Sequence, residues 1–76
     1  MTPLMLRQLW SLVEATQATI LLNLDDSSLV QWLLRQLYQE RPLNNHETDI
    51  LQGYIESRLT LIRDLAHDRA MTSYQL

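Results

Sequence analysis

The run Asp25-Asp-Ser-Ser-Leu-Val-Gln-Trp-Leu-Leu-Arg-Gln-Leu-Tyr-Gln-Glu-Arg-Pro42 decides the fold class. Leu29, Val30, Leu33, Leu34 and Leu37 recur at helical spacing, with Ser28, Gln31, Arg35 and Gln39 on the other side. Asp25 or Asp26 is placed to accept from the first free N–H groups, and the second acid complements the positive helix end. With Asp25 as the cap, Leu24 and Leu29 stand at hydrophobic-staple positions. Arg41-Pro42 closes the run, because the residue before proline avoids the helical region. The spacing predicts a helix over 26–40.

Upstream, Asn23-Leu24-Asp25 separates this helix from an earlier one. Asn tolerates the left-handed conformation that ends helices where Gly is absent. Thr2-Pro3 opens the earlier helix with a cap and a first-turn proline. Leu6, Leu9, Val13 and Ile20, flanked by Met5, Trp10 and Leu12, form its apolar face opposite Arg7, Ser11, Glu14 and Ala18. The predicted span is 3–22. Thr16 and Thr19 weaken its last turns, and Thr19 to Leu24 has an extended alternative.

Downstream, Asn44 and Glu47 are spaced as a capping box for a third helix over 45–70, about 39 Å long. Its apolar set is Ile50, Leu51, Tyr54, Ile55, Leu59, Leu61, Ile62, Leu65 and Ala66. Residues 71–76 read as a frayed tail. No strict alternation competes, and the single Gly is Gly53. The expected fold is therefore all-α: one domain over 1–76, a three-helix up-down-up bundle with a long third helix. That helix outreaches its neighbours, which points either to a homodimer or to an unpaired C-terminal turn that frays.

Composition narrows the function. The chain has 76 residues and 46% hydrophobic residues, room for one small core with little to spare. There is no Cys, which removes disulfides, thiolate metal sites and a Cys nucleophile. All six basic residues are Arg, so a Walker loop and a Schiff-base lysine drop out together. A net charge of −3 argues against a duplex-binding surface. Helix 2 sets Glu40 between Arg35 and Arg41, and helix 3 mixes Glu56, Arg63, Asp64 and Asp68. Neither makes a basic stripe, and no nucleic-acid partner is expected. The longest uncharged run, Ala15 to Leu24, is half the length of a spanning helix. Arg7 follows the apolar start instead of preceding it, and no cleavage signal comes next. A soluble chain with no membrane span is expected.

Three features stand out as candidate partner contacts. Arg58 has only apolar residues at its helical neighbours: Tyr54, Ile55, Leu61 and Ile62. On one reading its stem packs in the stripe and its head reaches an acid such as Glu14. On the other its guanidinium binds a partner's carboxylate or phosphate. Trp32 lies off the leucine stripe beside Ser28, Arg35 and Gln36, as either a lid on a small core or a binding anchor. Gly53 and Ser57 leave a small-xxx-small gap on the polar side of the third helix, against a plain reading as helix irregularity.

No constellation for catalysis is visible. His46 and His67 are about 31 Å apart along one helix, and His46 with Asp49, and Asp64 with His67, make only two-residue pairs, whereas a defined metal site needs three or four convergent donors. No cofactor, metal or catalytic residues are expected, and the chain reads as a non-enzyme.

The runs Leu29-Val-Gln-Trp-Leu-Leu-Arg-Gln-Leu37, Tyr54-Ile-Glu-Ser-Arg-Leu59 and Leu61-Ile-Arg-Asp-Leu-Ala66 resemble small uncharacterised helical proteins of cyanobacteria, over about residues 4–68. The resemblance implies a cytoplasmic bacterial protein and brings no activity with it. The expected function is a small protein–protein interaction module or adaptor that binds another protein, itself, or both. The alternatives are an accessory enzyme subunit that binds an anion or small ligand through Arg58, and a nucleic-acid-binding regulator.

Overall fold

The computed structural model describes residues 2–74, with side-chain surroundings through residue 71. Every regular element among the described residues is helical, but five helices replace the expected three. They are α1 (Pro3–Ala15), α2 (Ala18–Asn23), α3 (Asp26–Glu40), α4 (Asn45–Ser57) and α5 (Leu59–Tyr74). Helix α3 and its ends match the sequence reading. Asp25 Oδ1 accepts from the Ser28 N–H at 2.7 Å, and Arg41 closes the helix before Pro42. The Asn44–Glu47 capping box is complete: Asn44 Oδ1 accepts from Glu47 N–H at 2.7 Å, and Glu47 Oε1 from Asn44 N–H at 3.1 Å.

The first predicted helix is two, broken at Thr16-Gln17. The Thr16 hydroxyl donates to the Leu12 carbonyl at 2.7 Å, a local bond that competes with the helical ladder. Thr16 and Gln17 are both extended, with ψ of 138°. Residues 18–23 are nevertheless helical, so of the extended alternative for Thr19 to Leu24 only Leu24 itself is extended. The break shifts the phase. Leu21 is buried in place of the expected Ile20, while Met5, Leu9 and Val13 keep their inward face on α1. Helix α2 ends on Leu24 in an extended conformation and not on a left-handed Asn23; no described non-glycine residue has positive φ.

The predicted third helix is likewise two. The Ser57 hydroxyl donates to the Tyr54 carbonyl at 2.7 Å, and the Arg58 N–H bonds back only three residues, to Ile55. Arg58 sits at φ −115°, ψ 8°, outside helical geometry, and its carbonyl then accepts from Ile62 N–H to start α5. Both breaks thus coincide with a Ser or Thr hydroxyl turned onto a carbonyl three or four residues back. Helix α5 continues to Tyr74, so residues 71–74 are helical and not a tail; residues 75–76 lie outside the described residues.

The core is one cluster drawn from all five helices. Its centre is Leu9, Leu21, Leu29, Leu33, Leu51, Ile55 and Ile62. Leu61 and Leu65, expected to face inward with Ile62, are instead each 46% exposed. Among its described side chains, helix α5 buries only Ile62 and Ala66. The molecule is elongated, 42 × 22 × 19 Å.

Six residues are too few for a helix to persist alone, so α2 depends on its neighbours. Helix α5 supplies the missing support with two arginines. Arg69 Nη1 donates to the Glu14 carbonyl at 2.7 Å and Nη2 to the Thr16 carbonyl at 2.7 Å, taking up acceptors freed by the first break. Arg63 Nη1 donates to the Leu21 carbonyl at 2.8 Å, near the end of α2, and Nη2 to Asp26 Oδ1 at 2.8 Å, in the first turn of α3. Both guanidinium groups act as forks, which a lysine ammonium cannot imitate.

Candidate partner-binding surfaces

The five sequence candidates fall in two places. Trp32 and Arg35 lie one turn apart on α3 and line one groove of about 320 Å³ with Leu24, Ser27, Ser28 and Gln31. A second groove of about 330 Å³ is lined by Thr19, Ile20, Asn23, Leu24 and Trp32. Trp32 and Leu24 therefore form the wall shared by both. The helix α2 that builds the second groove exists because of the Thr16-Gln17 break, so no reading of one continuous helix places Ile20 and Asn23 there.

The two tryptophans differ in a telling way. Trp10 Nε1 donates to the Tyr54 hydroxyl at 3.2 Å, and the two rings meet edge to face at 6.4 Å. Trp10 is thus a structural pin between α1 and α4. Trp32 is half-buried against the core, yet its indole N–H has no acceptor among the described residues. Arg35 is exposed and makes no ion pair among the described residues. The groove therefore offers an apolar wall, a spare N–H donor and a spare cation.

Arg58, Ser57 and Gly53 lie elsewhere, on α4 and at its end. Arg58 is exposed and not in the core stripe, because the break removes it from the helical register that would point it inward. Its guanidinium rests over the Tyr54 ring, 5.0 Å from the centroid, with a long 3.4 Å contact to Ser57 Oγ. Glu14 is not its counter-ion; that residue contributes its backbone carbonyl to Arg69. Gly53 is exposed, and a Cβ added there would meet nothing within 4 Å. Nothing in the chain presses against it.

His46 and His67 are both exposed, and no cluster of three potential metal ligands exists among the described residues. Asp25, the cap of α3, has a displaced titration. Hydrogen bonds from the Ser28 backbone and hydroxyl, helped by the charge of Arg63, hold its carboxyl below the usual aspartate range. That is the signature of a helix cap.

Sequence reasoning missed the two forks. Arg63 reads as part of a mixed-charge helix surface, and nothing in the sequence singles out Arg69. The signal available was their spacing: six residues apart on a helix facing two loop junctions. The junction at Thr16, however, was not itself anticipated as a break.

The fold and its grooves define a small all-α domain with an open aromatic-lined surface. Compared with family models, curated proteins and solved structures, the chain matches none. Among the described residues, no helix is long and apolar enough to cross a membrane.

Proposed function

We propose that this chain is a non-enzymatic protein–protein interaction module that receives a segment of another protein at the Trp32–Arg35 groove. The observation that carries the reading is the Trp32 indole lining two open grooves beside Arg35, its N–H and the Arg35 cation both without a partner among the described residues. Trp and Arg dominate the energetics of many interfaces, since each combines a large apolar surface with directed donors. The complementary partner presents an apolar side chain to Leu24 and Trp32, with a carboxylate one turn away for Arg35. The bacterial cytoplasm is the setting this reading favours, from the resemblance of the helices to small cyanobacterial proteins.

An anion-binding role for Arg58 finds less support. Its guanidinium lies on Tyr54, and Arg58 lines none of the grooves described above.

Affinity capture from native lysate with mass spectrometry tests the proposal. Arg35→Glu is exposed and should leave the melting temperature unchanged while reducing capture of the partner protein about tenfold or more. Trp32→Ala should reduce it further, at some cost in stability from the half-buried ring. Recovery of only metabolites or nucleic acid by the wild-type chain would overturn the reading. So would undiminished capture by both variants.

A further inference from the structure

Helix α5 has two apolar sides. Ile62 and Ala66 fill the core, while Leu61 and Leu65 are nearly half exposed on a different side of the same turns. The exposed pair is flanked by opposite charges at heptad spacing. Leu61, Leu65 and Asp68 follow one another at the spacing of a helix-pairing seam, and Arg58, the junction residue whose carbonyl opens α5, precedes Leu61 by three residues. Arg58 and Asp68 are both exposed.

The order of these four residues is self-complementary in one orientation only. In an antiparallel pair centred on residue 63, Leu61 faces Leu65 of the second copy, and Arg58 faces Asp68 of the second copy. The two-fold axis repeats both contacts. In a parallel pair in register, Arg58 meets Arg58 and Asp68 meets Asp68, which like-charge repulsion disfavours. We propose that Leu61, Leu65 and Asp68 of α5, with Arg58 at the α4–α5 junction, form a homodimer interface in which two copies pack α5 against α5, antiparallel.

This surface is separate from the Trp32–Arg35 groove, so the two proposals stand or fall independently. Among the described residues, the Arg58 guanidinium is held only by the Tyr54 ring and one long contact to Ser57. Its long side chain can therefore swing to a new partner with little loss. Asp68 also has an interaction inside its own chain. A carboxylate has about four acceptor positions, so that contact and Arg58 of the second copy can be served together. The interface spans ten residues, about 15 Å at the helical rise, so the contact is small and the dimer weak and reversible.

Sedimentation equilibrium up to about 1 mM, the weak end of specific association, gives the test. The wild-type mass should rise from 9.0 kDa toward twice that value. Arg58→Glu alone and Asp68→Arg alone should each weaken dimerisation roughly tenfold, since each turns two attractions into two repulsions. The double variant should restore it. Leu61→Ser with Leu65→Ser should abolish it; circular dichroism confirms that both remain helical, and the exposed charge variants provide a second route should the leucine variant unfold. A mass of 9.0 kDa at every concentration overturns this inference while leaving heterologous capture through Trp32 intact. A dimer indifferent to charge reversal, or one that the double variant fails to restore, overturns the antiparallel register.

Discussion

Arg69→Met is the sharpest test of how the break between α1 and α2 is held. Methionine keeps most of the apolar stem and removes the guanidinium fork, so packing and hydrogen bonding are separated. Two bonds of 2.7 Å are lost, to the Glu14 and Thr16 carbonyls, together with a longer one of 3.4 Å to Val13. A hydrogen bond from a charged donor contributes about 1.5–3 kcal/mol when its acceptor is otherwise unsatisfied. The Glu14 carbonyl is exposed and water replaces the donor there; the Thr16 carbonyl is partly buried and recovers less. The Val13 carbonyl already accepts from Thr16 N–H. The net cost is therefore about 2 kcal/mol. A chain of this length has roughly 4–11 kcal/mol of total stability, so the loss is a large fraction of it. At about 4–8 °C per kcal/mol, the melting temperature should fall by roughly 8–16 °C. Arg69→Lys should fall between, because one ammonium cannot span two carbonyls. Urea titration followed by circular dichroism measures the change. A midpoint for Arg69→Met within error of wild type would refute the claim that the fork holds the junction, and leave Thr16 to account for the break alone.

Three further outcomes are expected. Gly53→Ala should stabilise the chain by about 0.5–1 kcal/mol, because Gly53 lies inside α4 and open space surrounds the added methyl; a destabilised variant in thermal melts would mean that another backbone presses on this position. Arg58→Leu should change stability by less than about 1 kcal/mol, the reach of an exposed cation–π contact; a larger loss in chemical denaturation would put Arg58 back among the structural residues. Asp25 titrates below the ordinary value of 3.8 in the folded chain, so its capping contribution is complete above about pH 4 and is lost as the pH falls through the lowered value. NMR titration of its carboxyl should give that lowered value, and Asp25→Asn should flatten the acid limb of stability; a carboxyl titrating at 3.8 or above would contradict the capping geometry.

The helical class, the extent of α3 and the capped starts at Asp25 and Asn44 were all legible in the residues themselves. Each depends on contacts within four positions along the chain: apolar spacing, a carboxylate or amide reaching an N–H three residues on, a proline that blocks continuation. The two internal breaks were not legible as breaks. Thr16 and Ser57 are unfavourable in a helix, but a lone hydroxyl inside a periodic run is tolerated far more often than it ends one. What tips the balance at Thr16 is Arg69, fifty-three residues away, which collects the carbonyls that an extended Thr16-Gln17 releases. No local rule carries that information. The candidate surfaces divide the same way. Trp32 and Arg35 stand out on the helical wheel because they lie off the leucine stripe, but the second groove beside Trp32 exists only once α2 has turned at Gln17. Arg58 reads as a core residue for as long as the third helix is continuous, and becomes a surface residue when the ladder tightens at Ile55. Periodicity determines which residues share a face of an unbroken helix. Where the helix stops, the faces are set by the side chains of distant elements that stabilise the unpaired backbone, and only the tertiary structure decides which those are.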